Sequence, residues 1–262
     1  MQYGFSSIGY PEASLSEMAS LALEFGLDFI ELRALGGTID LPGYFAAVDA
    51  TPPVGPGVRL VATSLHLTEA TGEDIDTFLR FVDVATALRA PYVRVFGGGD
   101  SLPDSAMDQA AQTVRRCRSL MRERSAACEI LIETHSSFSS PAACLRLNQR
   151  LDEPVLVLWD SHHTWRIAGE SPAQTWRQIG PLVRHIHFND SQSQKAGAKY
   201  KCVLPGAGEY PVEALRRLLS QEHYSHGISL EWEKLWHPEL PDVRQALKEF
   251  KPLFEFGPEC HK

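Results

Sequence analysis

Four apolar stretches in the 262-residue chain run into, or close to, side chains that bind cations. Ile130-Leu131-Ile132 meets Glu133, the run opening at Val155 meets Asp160, the stretch 183–190 carries His187, and Ile228-Ser229-Leu230 meets Glu231. If the four runs lie side by side, three carboxylates and one imidazole gather at one rim. An oxygen-rich set with a single imidazole suits Mn²⁺ or Mg²⁺, with Co²⁺ or Zn²⁺ as alternatives, because thiolate-rich tetrahedral sites are what softer ions select. Without a cation, carboxylates held this close would repel one another and rise in pKa. One acid at a strand end is more often a loop cap or an ion-pair partner. It is the succession of Glu133, Asp160, His187 and Glu231 that favours one divalent metal ion.

Short aliphatic and β-branched runs of this kind read as strands buried on both faces, as in parallel α/β sheets. Eight such runs recur: 2–6, 28–33, 59–66, 92–96, 129–133, the run from Val155 that stops at Asp160, His162 and His163, then 183–188 and 227–232. Helical patterns separate most of them. Ser14-Leu15-Ser16-Glu17 has capping-box spacing before the stripe Met18, Leu21, Ala22 and Phe25, which Gly26 closes. Further helices are expected near 44–48, over 75–88, over 105–125, and from Pro141, Pro172, Pro211 and Pro241. Asp190 to Lys201 reads as a polar loop. Gly97-Gly98-Gly99 lacks both the P-loop lysine and the dinucleotide glycine frame, so it reads as a permissive loop rather than a phosphate cradle. Strand-helix units of about 30 residues point to an α/β fold, a (β/α)₈ TIM barrel over 1–262 as a single domain. A doubly wound open sheet is the runner-up, disfavoured because no glycine fingerprint follows the first strand. In a barrel, all strand C-termini meet on the face where active sites lie.

Composition narrows the function classes. Hydrophobic residues make up 44% and charged residues 22%, an ordinary globular balance. The net charge is −8 and basic runs do not exceed Arg115-Arg116 or Arg216-Arg217, which argues against nucleic acid and favours a small-molecule ligand. Cys117, Cys128, Cys144, Cys202 and Cys260 are odd in number and never spaced as C-x-x-C, so reduced thiols are expected. No basic-plus-apolar leader opens the sequence and no apolar run approaches the ~18 residues of a span, so a soluble, cytoplasmic protein without membrane contact is expected.

The stretches I-E-T-H at Glu133, W-D-S-H-H at Asp160, H-I-H-F-N-D at His187 and L-E-W-E at Glu231, with the turn P-G-A-G-E-Y-P from Pro205, fall in one order. In this the chain resembles the xylose-isomerase-like superfamily of sugar isomerases and epimerases, which also contains apurinic-site endonucleases. The likeness runs from the first strand to the last helix, with its specific motifs in the second half. It implies that Glu133 and Glu231 are both metal ligands and acid/base catalysts, that Asp160 and His187 are ligands, and that His163 binds substrate. The chemistry is coherent: a base takes a proton beside a carbonyl, a divalent cation stabilises the enediolate, and carboxylates on either side of the substrate exchange the proton. Some ketose epimerases carry an acid where this chain has Ser139 and a basic residue where it has Ser193. His135, Lys199 and Lys201 are the candidates to take over substrate binding.

Other polar residues carry narrower expectations. His66, ending the third strand, is read as lining the pocket. His185 is read as structural and turned to the face opposite His187. Glu31 either faces substrate or pairs with Arg33 or Arg94, and Glu233 belongs to the loop beyond its strand. Trp159, Trp165, Trp232 and Trp236 are read mainly as packing. The expected function is a metal-dependent isomerase or epimerase of a keto-sugar or related polyol. A lyase or dehydratase acting on an inosose, keto-glycoside or dehydroshikimate-like acid is the alternative, ahead of an endonuclease or a non-catalytic binder. A homodimer or homotetramer is expected from the apolar Trp236, Leu240 and Pro252-Leu253-Phe254, taken as exposed.

Overall fold

A computed structural model describes residues 1–48, 50–194 and 200–255. Eight parallel strands close into a barrel: β1 (Gln2–Ser6), β2 (Phe29–Leu32), β3 (Gly57–His66), β4 (Tyr92–Phe96), β5 (Glu129–Glu133), β6 (Leu156–Asp160), β7 (Val183–Phe188) and β10 (Gly227–Leu230). Each pairs with its neighbour in sequence, and β10 closes the ring between β7 and β1. Strands β8 (Asp190–Ser193) and β9 (Tyr200–Val203) form a separate antiparallel pair. The helices are α1 (Leu15–Glu24), α2 (Leu41–Ala47), α3 (Gly72–Ala87), α4 (Asp104–Glu123), α5 (Pro141–Asn148), α6 (Ser161–Arg166), α7 (Pro172–Ile179), α8 (Val212–Gln221) and α9 (Val243–Phe254). Among the described residues, no helix is long and apolar enough to cross a membrane.

Local chemistry starts these elements where the sequence says it should. Ser14 and Glu17 cap α1 reciprocally, and Gly26 takes the left-handed φ of +60° that ends it. Thr71 and Asp74 make the same box at α3. The strand period of two then sorts side chains between the two faces. Val61, Ile132, Val157, Trp159, Ile186 and Phe188 point outward into the large core shared with the helices. Leu60, Ala62, Leu131 and Leu158 point inward and form a separate small cluster with Tyr92 and Leu156. Below them the Arg59 guanidinium lies over the rings of Phe29 and Tyr92, at 5.4 and 5.3 Å. Gly4 makes room there, since a Cβ would stand 2.2 Å from the Phe29 ring.

Three expectations about the chain are corrected. The segment from Asp190 is a β hairpin rather than a loop, and the run from Val155 leaves its strand at Asp160, so His162 and His163 lie on α6. Both departures follow from side chains the strand pattern does not register: Asp160 caps α6 through the His163 N–H at 2.8 Å, and the first strand of the hairpin, Asp190–Ser193, is wholly polar. Two of the apolar residues taken as exposed are not: Phe254 is fully buried against Phe188 and Phe250, and Leu240 is buried too, while Leu253 is half-buried and Pro252 and Trp236 are exposed.

Candidate metal centre

Inward-facing positions at the C-terminal ends of the strands are filled by charge. Glu133 ends β5, Asp160 ends β6, His187 lies near the end of β7, and Glu231 follows β10 directly. One ligand atom from each lies within 4.8 Å of all the others, and all four residues are buried. His187 Nδ1 stands 3.1 Å from Glu231 Oε2 and 3.5 Å from Glu133 Oε1. Barrel register places them there: Asp160 is paired with His187, and Ser229, two residues before Glu231, is also paired with His187.

Behind the cluster is a brace. His187 Nε2 donates to Glu31 Oε2 at 2.8 Å, and the same oxygen accepts from Ser229 Oγ at 2.9 Å and from His185 Nε2 at 3.1 Å. Glu31 is thus bound to two histidines and a serine rather than to Arg33 or Arg94. His185 shares the inward face with His187, a correction that the two-residue period itself requires. Arg94 instead meets Glu133, Nε to Oε2 at 3.0 Å, with both side chains buried. Its Nη1 donates to the Thr63 carbonyl at 2.9 Å, and the guanidinium lies 3.9 Å from the centre of the Phe96 ring.

These contacts set the protonation pattern. Burial works to raise the Glu133 carboxyl, but Arg94 and His187 outweigh it and hold Glu133 well below the usual range. Burial likewise opposes charging His187, yet Glu231 and Glu31 beside it push it well above the ordinary imidazole value. Asp160 has no such partner of full strength: burial, with Glu133 nearby, pushes it up to about 7. Burial raises Glu231 in the same direction and Glu233 to about 7.

The donor set fits a divalent cation. Glu133 Oε2, Asp160 Oδ2 and His187 Nδ1 are buried and, although each has an ion-pair neighbour at 3.0 to 3.2 Å, none makes an aligned hydrogen bond, so their lone pairs are free to meet a cation. Among the described residues, four buried carboxylates at the rim, Glu31, Glu133, Asp160 and Glu231, face two buried guanidiniums, those of Arg33 and Arg94. An ion of charge +2 would balance that set. Glu31, His185 and His187 form a second group of metal-ligating types, but hydrogen bonds join its members and it shares His187 with the first.

The other expected site residues sit around the mouth. His163 stands against Asp160, Nδ1 to Oδ2 at 3.2 Å. Its ring meets that of His135 at 4.7 Å, His135 meets Phe96 at 4.6 Å, and Phe96 meets His66 at 5.3 Å, so the three histidines share one aromatic wall. Burial pushes His135 down to about 4, keeping it neutral. His66 is half-exposed, 3.8 Å from Glu69. Lys201, on β9, lines a cavity of about 390 Å³ with Glu233, His237 and Tyr200. Lys199 lies outside the described residues. Sequence reasoning missed the joint role of Glu31 and His185, and the pairing of Arg94 with Glu133. Strand parity was the signal available for all three.

The profile of the family described as Xylose isomerase-like TIM barrel matches residues 19–253. No protein of curated function matches the chain in sequence. Among solved structures, a probable 3-DHS dehydratase, AsbF, involved in petrobactin synthesis from Bacillus anthracis, superposes with a TM-score of 0.79 at 18% identity, covering 98% of this chain and 100% of that one. The IolI protein with a binding zinc atom gives 0.74 at 16% identity, over 97% and 96% of the two chains. The 3-keto-D-glucoside 4-epimerase YcjR from E. coli gives 0.71 at 14% identity, over 97% and 98%. At these identities the superpositions show a common fold, while the profile covers most of the chain: the protein belongs to the xylose isomerase-like TIM-barrel family.

Proposed function

We propose that the protein is a divalent-metal-dependent isomerase or epimerase of a keto-sugar or related polyol, and that Glu133, Asp160, His187 and Glu231 hold the ion. The observation that carries this reading is the buried convergence of those four side chains, with two acids at the ends of the arc. A bound Mn²⁺- or Mg²⁺-class ion would supply positive charge to stabilise an enediolate. Removing and returning the carbon-bound proton falls to Glu133 and Glu231. Arg94 keeps Glu133 ionised, which suits it to act as the base, while burial makes Glu231 the more readily protonated partner. His163, fixed against Asp160, and His135, which burial keeps neutral, each present a ring nitrogen that can donate to a substrate oxygen. The family membership and the epimerases among its structural neighbours support the assignment.

The test is solvent deuterium exchange into a keto-sugar by the Mn²⁺-loaded protein. Wild type should exchange, while Glu133→Gln and Glu231→Gln should each fall by ~10²-fold or more, because the base is lost while an oxygen for the ion remains. Asp160→Ala should purify with less metal. Exchange at the wild-type rate in both Gln variants would remove Glu133 and Glu231 from the proton path. Loss of water or of an aglycone in the products would instead identify the dehydratase or lyase chemistry.

A further inference from the structure

Arg33 is a buried cation at the mouth of the barrel that meets no carboxylate among the described residues. It follows β2, has the inward parity of Phe29 and Glu31, and is only 9% exposed. Its Nη2 donates to Ser64 Oγ at 3.2 Å, but its buried Nη1 has no hydrogen-bond partner, and no carboxylate among the described residues lies within 4.0 Å of the guanidinium. An arginine placed simply to neutralise the acids would be paired with one of them, as Arg94 is with Glu133. Arg33 instead stands on the β2 side of the mouth, across from the arc β5, β6, β7 and β10, and the charges it feels are those of Arg94, Glu133, Glu231 and Glu31. A buried N–H left without an acceptor costs free energy unless a bound group satisfies it.

Charge balance says what kind of group that is. With a dication in place, the carboxylates of Glu31, Glu133, Asp160 and Glu231 are matched by the ion together with Arg33 and Arg94. A carboxylate or phosphate on the substrate would add an unmatched buried charge, which is costly. Among the described residues the rim offers little compensation, since Lys201 shares its cavity with Glu233 and Glu239, and Arg166 is paired with Glu209. We propose that Arg33 is a substrate-binding residue, its Nη1 donating to an oxygen of an uncharged keto-polyol held across the mouth from the metal ligands, and that the site rejects substrates bearing an acid group. This rests on the metal-centred reading of the site and narrows its substrate class.

Two probes separate the ideas. L-sorbose and 5-keto-D-gluconate share the hydroxymethyl ketone and every carbinol centre, and differ only in a hydroxymethyl or a carboxylate at the far end. Binding of each to the Mn²⁺-loaded protein is measured by calorimetry, alongside Mn²⁺ uptake itself. Wild type should bind L-sorbose about tenfold or more tightly than the acid. Arg33→Met should weaken L-sorbose about tenfold, the effect of losing a charged hydrogen-bond donor, while holding Mn²⁺ as tightly or more tightly because a cation has left the site. Arg33→Lys, which preserves the charge and therefore the balance within the barrel, should bind L-sorbose with intermediate affinity. A merely structural role for Arg33 would lower Mn²⁺ uptake and sugar binding together. Equal or tighter binding of the acid, failure to bind either sugar, or unchanged L-sorbose binding in both variants overturns the inference. Failure of wild type to take up Mn²⁺ overturns the metal-centred reading instead.

Discussion

Glu31 shows how far the chemistry of the site depends on a residue that is not in the ligand cluster. An imidazole ligand offers one nitrogen to a cation only if the proton is on the other, and the hydrogen bond from His187 Nε2 to Glu31 fixes that choice, leaving Nδ1 toward Glu133 and Glu231. His185 and Ser229 hold the same carboxylate oxygen and so restrict its rotation. Glu31→Leu should therefore reduce Mn²⁺ affinity by about 10- to 100-fold, with Glu31→Asp recovering part of the loss. Titration calorimetry measures both, and an unchanged affinity in the leucine variant would show that His187 is oriented by its packing alone.

At the scale of the element, the β8–β9 hairpin and the turn after it are organised by one side chain. Asp190 accepts from the backbone N–H groups of Ser191, Gly206, Gly208 and Tyr210, at 2.8, 3.0, 2.9 and 3.1 Å. Gly208 is required by this arrangement, since a Cβ there would stand 1.9 Å from Asp190 Oδ1. His162 ties the hairpin to α6 through Ser191 Oγ at 2.7 Å, so the segment carrying Lys201 and the helix carrying His163 are joined beside the metal centre. Asp190→Ala leaves several donors without an acceptor and should cost about 3 kcal/mol in a denaturant titration, with Asp190→Asn costing less. Equal stability of the alanine variant would mean that water replaces the carboxylate at those N–H groups.

For the whole molecule, the inward-facing acids make stability depend on pH and on metal together. The folded pKa of Asp160, about 7, lies above the unfolded value, so the folded state holds the extra proton. The stability this contributes is complete below about pH 4 and is lost as pH rises through 7. His187, also raised, loses its contribution in the same direction, from its unfolded value upward through its folded one. Glu31 and Glu133 are depressed and act oppositely: their contribution is present above the usual carboxylate range and is lost in acid. His135, His162 and His185, which burial depresses to about 4, 3 and 4, gain stability as pH rises toward their unfolded value and offset the loss from Asp160 and His187. The metal-dependent part keeps its sign: the increase in Tm on adding Mn²⁺ should be larger at about pH 8 than at about pH 5, because protons no longer compete for Asp160 and His187. An Mn²⁺-induced increase that is no larger at pH 8 would show that Asp160 is already ionised at the lower pH in the folded state.

The eight strands, the capping box at Ser14 and the strand-end positions of Glu133, Asp160, His187 and Glu231 were legible in the sequence because they depend on local period and local hydrogen bonding. The hairpin at Asp190 was not, since its first strand is wholly polar and the acceptor bonds of Asp190 reach residues 16 to 20 positions away. The inward direction of His185 was legible in the two-residue period, although the sequence reading placed it on the opposite face. Closure of the barrel alone decided the partners. It brings Glu31 of β2 to His187 of β7, 156 positions away, and Ser229 of β10 to Glu31, 198 positions away. It also pairs Arg94 with Glu133 and leaves Arg33 without a carboxylate partner among the described residues. Sequence therefore determined which chemical groups reach the rim, and the closed sheet determined which of them meet, because a contact across a barrel is set by strand order and register rather than by distance along the chain.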